Sequence, residues 1–235
     1  MVMMQNRKRT RWLQKNVWEP LKQLRQGNLG QYVGDRLILR FRIRPVRRLE
    51  GWLTGAEAAA LYRVATWLPA GANVVEIGSW KGKSSYCIAR GLPAGATLYA
   101  IDPFDAAGEE GSSKTYDQRK GDTPLFTQFK ESMTRLGVMA VIRPLVGYSQ
   151  QFVGQVTPIH FLFIDGDHSA EGCQFDFDHY GPAVPAGGYL AFHDYRPERG
   201  DSWGPNWVIA HHVLPSGQYR FVGNYDSLWL AQKTS

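Results

Sequence analysis

The clearest patterning begins at Thr54. The segment TGAEAAALYRVATWL sets Glu57 three residues after Thr54, the spacing of a capping box, and predicts a helix starting there. NVVEIG follows, a short apolar run ending in glycine, which reads as a buried strand. SSYCIARGL reads as a helix closed by Gly91, and ATLYAID as a second strand ending in Asp102. Residues 105–124 are polar without periodicity, so a loop of about 20 residues is expected, of the kind that is usually functional or mobile. TPLFTQFKESMTRLGV spaces Leu125, Phe129 and Met133 four apart and predicts a helix. VIRPLVG, IHFLFIDGD and GGYLAFHDY predict three more strands, the last two running into aspartates. SAEGCQFDFDHYGPAV and WVIAHHVL predict helices, and QYRFVGNYDSLWLAQK predicts two strands turning at Asn224-Tyr225-Asp226.

Seven strands, mostly alternating with helices, define an α/β fold: a Rossmann-like, doubly wound, mostly parallel sheet with a C-terminal antiparallel hairpin. Residues 1–50 stand apart as a basic helical appendage to a domain spanning 51–235. Within it, Trp12, Leu13, Val17, Leu21 and Leu24 fall near one helical stripe, which Pro20 would kink or divide. Residues 35–50 alternate only in part and are interrupted by Pro45.

Composition adds one distinction. At 43% hydrophobic and 20% charged residues the chain matches an ordinary globular domain, against disorder or low complexity. It has no apolar run of transmembrane length, and no apolar run follows the basic start, so a cytoplasmic protein without a secretory signal is expected. Two cysteines without a CxxC do not make a disulfide framework. The charge, however, is uneven: residues 1–50 hold 13 Lys/Arg against 3 Asp/Glu, and the rest 14 against 18. The basic arm would suit an anionic membrane surface, which its amphipathic pattern with Trp12 and Trp18 also suits, or a subunit contact in a homodimer. A solvated basic face is the plainer reading. Nucleic acid is not the expected partner.

In sheets of this type ligands bind beyond the carboxyl ends of the strands. The first such turn, Glu76-Ile77-Gly78-Ser79-Trp80-Lys81-Gly82-Lys83-Ser84, has the spacing neither of the dinucleotide fingerprint nor of a P-loop. A glutamate ahead of the first glycine would repel a pyrophosphate but could pair with an ammonium, which favours a zwitterionic or cationic ligand. Asp102, about 20 residues further on, suits the two hydroxyls of a ribose; an ordinary aspartate before Pro103 is the plain alternative. Asp165, Asp167, His168, His193 and Asp194 form a second constellation at adjacent strand ends. Carboxylates suit Mg²⁺ or Mn²⁺, and histidine tilts the set toward Mn²⁺ or Zn²⁺. A metal-free site is the competing reading. His160, His179, His211 and His212 read as structural.

The chain resembles the class I S-adenosylmethionine-dependent methyltransferases. More narrowly, it is similar to the small O-methyltransferase branch of the family 24 type, through Phe163-Ile164-Asp165-Gly166-Asp167-His168-Ser169-Ala170-Glu171-Gly172 and the later Gly187 to His193-Asp194 strand. The resemblance covers roughly residues 54–232 and leaves residues 1–50 unexplained. It implies that Glu76, Gly78, Ser79, Gly82 and Ser84 hold the methionine part of S-adenosylmethionine, Asp102 the ribose, and Ser149 and Gln150 the adenine. It implies Asp165 and Asp194 as ligands of an Mg²⁺ or Mn²⁺ ion, with His193 standing where some relatives have a second carboxylate. His168 lies where catechol O-methyltransferases carry a general base, and Asp167 competes for that role. The reaction implied is transfer of a methyl group to a hydroxyl oxygen, with a saccharide or other small molecule first and a phenol second among acceptors. The tryptophan-rich loop DSWGPNW would border the acceptor. A non-catalytic Rossmann-like binding protein, using its basic arm on membrane or nucleic acid, is the reading from a different class.

Overall fold

The computed structural model describes residues 29–107 and 113–235. The stripe expected over residues 11–26, with its break at Pro20, lies outside the described residues, as do residues 108–112 of the expected loop. The chain divides into two units, residues 1–44 and 45–235.

In the first unit, helix α1 (Leu29–Leu37) runs into a wider π-type turn over Ile38–Arg42. The partial alternation there is helical, as expected of the appendage.

The second unit opens on α2 (Gly55–Thr66) after a 3₁₀ turn at Arg44–Arg48 that begins at the end of the first unit. The capping box forms. The Glu57 backbone N–H donates to Thr54 Oγ1 at 3.3 Å, and the Thr54 N–H donates to Glu57 Oε2 at 2.7 Å. Then come β1 (Asn73–Ile77), α3 (Lys83–Gly91), β2 (Thr97–Asp102), α4 (Ser113–Lys120), α5 (Leu125–Arg135), β3 (Ile142–Val146), β4 (Phe161–Ile164), α6 (Ala170–Tyr180), β5 (Tyr189–Phe192), α7 (Gly204–Val208), β6 (Tyr219–Tyr225) and β7 (Leu228–Lys233). The strands form one seven-stranded sheet in the order β3-β2-β1-β4-β5-β7-β6. β1 to β5 are parallel, and β7 enters antiparallel between β5 and β6. This is the doubly wound arrangement expected, with its reversal of strand order between β1 and β4.

β4 and β5 are apolar throughout because helices cover both faces. Every residue of β4 is buried, and so are Leu190, Ala191 and Phe192 of β5. Pro144 sits in β3, which pairs only with β2 and so lies at the sheet edge, where a missing N–H costs least. Two expectations change. The polar stretch 105–124 contains α4, which has no apolar face and so left no periodicity to read. The hairpin turns at Asp226-Ser227, with Asp226 at φ +55°, a residue later than expected. Among the described residues no helix is long and apolar enough to cross a membrane.

Candidate active site

A cavity of about 630 Å³ opens at the carboxyl ends of the parallel strands, where the strand order reverses. Gly78, Ser79, Ser84, Asp102, Ser149 and Gln150 line one side of it. Asp165, Asp167, His168, His193 and Asp194 also line it. Gly78 and Asp194, 116 positions apart in sequence, therefore share one cavity because five strands end together.

Gly78 is required where it stands. Its φ is +89°, and a Cβ would fall on the backbone carbonyl of Asp165, so β1 and β4 could not end side by side. Gly82 faces away from the cavity. A Cβ there would meet Met133 and Phe129 of α5, so its glycine is set by packing. Glu76 is likewise behind the wall, with no surface exposed. Its Oε2 accepts hydrogen bonds from Ser79 Oγ at 3.0 Å and from the Ser85 hydroxyl. Burial pushes its carboxyl up to about 7, against the pull of the serine hydroxyls. Asp102 knits the turn together: Oδ2 accepts from the N–H groups of Ser79 (2.8 Å) and Trp80 (2.7 Å), and Oδ1 from that of Phe104 (2.6 Å). Burial raises its pKa, opposed by those three donors. Trp80, Ala106 and Asp194, all on the cavity wall, have φ between +47° and +62°, backbone strain of the kind that gathers at functional sites.

The far wall is a charge network. His193 Nδ1 lies 3.0 Å from Asp165 Oδ1 and 3.2 Å from Asp194 Oδ2, while its Nε2 lies 3.4 Å from Glu57 Oε2. Burial opposes protonation of His193, yet these carboxylates hold its pKa well above the ordinary value. Asp194 is half-buried, which would raise its pKa, but His168, His193 and Arg196 hold its carboxyl well below the usual range. Arg196 donates to Asp194 Oδ1 from Nε at 2.9 Å and from Nη2 at 2.7 Å. His168 stacks flat on Trp203, with ring centroids 5.0 Å apart and planes 7° apart, and its Nε2 is 3.4 Å from Asp194 Oδ2. The Trp203 indole N–H donates to the Asp194 carbonyl at 2.6 Å. Asp167 is bound into its own turn, accepting from the Ser169 N–H at 2.8 Å and its hydroxyl at 3.0 Å.

The donor atoms of Asp165, His168 and Asp194 lie within 4.8 Å of one another, an oxygen-nitrogen set whose chemistry fits a divalent cation such as Mn²⁺. His193 is not in that set: its Nδ1 faces Asp165 and Asp194 and its Nε2 faces Glu57.

Four further residues carry the site without having been singled out. Glu57 looked like a cap alone, yet it reaches His193 and also accepts from the Ser227 N–H (2.9 Å) and hydroxyl (2.7 Å). Asp176 lines the cavity, accepts from Ser149 Oγ at 2.5 Å, and has its pKa pushed up to about 7 by burial. Its signal was available: Cys173, Asp176 and Tyr180 fall on one stripe of α6, and all three are buried. Trp52 and Tyr116 join Trp80 in a wall of aromatic rings 5.0–5.7 Å apart.

A family model for a methyltransferase domain matches residues 75–195, more than half of the chain, and the chain belongs to that family. Its fold is similar to that of the O-methyltransferase NovP, at 15% identity over 79% of this chain and 84% of that one, with a TM-score of 0.60. It is similar also to the O-methyltransferase TomG from Streptomyces achromogenes, involved in tomaymycin synthesis and solved with SAM (17% identity, 81% and 87% covered, TM-score 0.56). The O-methyltransferase from Bacillus cereus in complex with SAH is similar at 15% identity, 86% and 96% covered, with a TM-score of 0.56.

Proposed function

We propose that this methyltransferase moves the methyl group of S-adenosylmethionine onto a hydroxyl oxygen of a saccharide-bearing small molecule, with His168 receiving the hydroxyl proton. The single observation that carries the reading is the placement of His168. It is held flat against Trp203, with Nε2 beside Asp194, in the same cavity as the glycine turn and Asp102.

In this reading Ser79, Ser84 and Gly78 face the methionine part, with Glu76 orienting the serine hydroxyls from behind. Asp102 takes a ribose hydroxyl on the one lone pair its three N–H donors leave, and Ser149 and Gln150 face the adenine. The acceptor oxygen attacks the sulfonium methyl in line. The C–O bond forms as the C–S bond breaks, its electron pair returns to sulfur, and the hydroxyl proton passes to His168. Asp194 then faces an imidazolium and stabilises it. The wall of Trp52, Trp80 and Tyr116 offers apolar ring surface that suits sugar C–H groups, with Trp203 holding His168 beside it; a phenol ring is the second choice. That NovP and TomG are named as O-methyltransferases supports the oxygen acceptor.

A second reading rests on the convergence of Asp165, His168 and Asp194. These residues would hold a divalent cation, which when bound would lower the pKa of the acceptor hydroxyl. Methyl transfer to a panel of sugars and phenols, with and without EDTA, separates the two. Activity that survives EDTA and falls about 100-fold or more in His168→Asn supports the base. Activity lost to EDTA and restored by Mn²⁺ supports the metal. Full activity of His168→Asn in EDTA contradicts both.

A further inference from the structure

The first unit carries a patterned surface that methyl transfer does not use. α1 and the turn that continues it set Val33, Leu37 and Phe41 four residues apart, and all three are exposed, at 48%, 52% and 68%. Arg36 and Arg40 repeat the same spacing and are exposed as well, and Arg44, just past the end of the turn, is exposed too. On a helix such spacing lines residues along one face, so an apolar row and a cationic row run side by side. Asp35, Leu39 and Ile43, on the opposite side, are buried. The helix therefore already has a buried side, and the apolar row is a second one, exposed among the described residues. Single exposed apolar residues are ordinary; a row of three in step with arginines is not.

We infer that this face docks on an anionic lipid surface. Val33, Leu37 and Phe41 enter the boundary between headgroups and acyl chains, and Arg36, Arg40 and Arg44 meet the lipid phosphates. Charge decides among the occupants. Residues 1–44 contain 11 Lys/Arg and 2 Asp/Glu. In a symmetric contact with a second copy, the arginine row would meet itself, and Asp35, the one acidic residue described in this unit, is buried. Nucleic acid would satisfy the arginines but leave the apolar row in water. Of these three occupants, only an anionic lipid surface takes both rows. The inference rests on a different unit from the cavity and stands whether or not the cavity transfers methyl groups.

The test is co-sedimentation of the full chain with phosphatidylserine-containing vesicles and with phosphatidylcholine vesicles, at low and high salt. Thermal unfolding of each variant serves as the check on folding. The wild type is expected to pellet with the anionic vesicles only, and less at high salt. Val33→Ser/Leu37→Ser/Phe41→Ser is expected to lower partitioning at least about tenfold. Arg36→Gln/Arg40→Gln is expected to lower it by about fivefold for each arginine. The inference is overturned if the wild type stays in the supernatant, or if the folded triple variant binds as the wild type does. It is equally overturned if the chain binds duplex DNA but not vesicles, or self-associates without lipid in a manner the triple variant abolishes.

Discussion

Glu57 shows how one side chain serves three levels of the structure. It caps α2, ties the hairpin through Ser227, and supplies one of the three carboxylates around His193. Glu57→Gln keeps the shape and removes the charge. It is expected to cost on the order of 3 kcal/mol in urea unfolding, because a buried imidazolium loses a partner. The same change should lower the His193 pKa, seen as a shift of its NMR titration midpoint toward neutral pH. Glu76 and Asp176 respond to pH in the opposite sense from an ordinary salt-bridged carboxylate. Both are pushed up to about 7 by burial. A carboxyl raised in the folded state favours folding while protonated, so its contribution is fully present below the unfolded pKa near 4 and lost as pH rises through about 7. The melting temperature of the ligand-free protein should therefore fall between about pH 5 and about pH 8, and Glu76→Gln/Asp176→Asn should flatten that fall. A fall of equal size in the double variant would remove these two groups as its cause.

At the scale of elements, the cavity depends on close approach of turns more than on any helix. Gly204 begins α7, donates to the His168 carbonyl at 3.0 Å, and has no room for a Cβ against the carbonyls of His168 and Ser169. Gly204→Ala should push α7 and Trp203 off His168, costing about 2 kcal/mol and lowering kcat with little change in cofactor affinity. Steady-state kinetics beside a cofactor titration would check this, and unchanged kcat would mean that the Trp203 stack does not position His168. The same elements show what a sequence makes readable. The strands, their order of appearance and the acidic strand ends stood out because a two-sided sheet needs unbroken apolar runs, as in FLFI and YLAF. α4 did not, because all eight of its residues are SKTYDQRK and none builds an apolar stripe. Glu76 and Gly82 carried a recognisable spacing, but only the three-dimensional turn shows that one lies behind the wall and the other faces α5. The His193 network was invisible for a related reason: Glu57 reaches it from 136 positions away.

The whole molecule joins a cavity at a topological switch point to an N-terminal segment of different chemistry. The sheet carries the methyltransferase-domain match over residues 75–195, whereas the basic excess lies in the first 50 residues. Each part can be tested alone by its own ligand. The most direct measurement is titration calorimetry of the full chain with S-adenosylhomocysteine, using NAD as the comparison. Micromolar binding of S-adenosylhomocysteine is expected, with none of NAD and a loss of at least about tenfold in affinity in Asp102→Ala. Folded protein that binds no S-adenosylhomocysteine, or that binds NAD instead, would contradict the proposed methyl transfer.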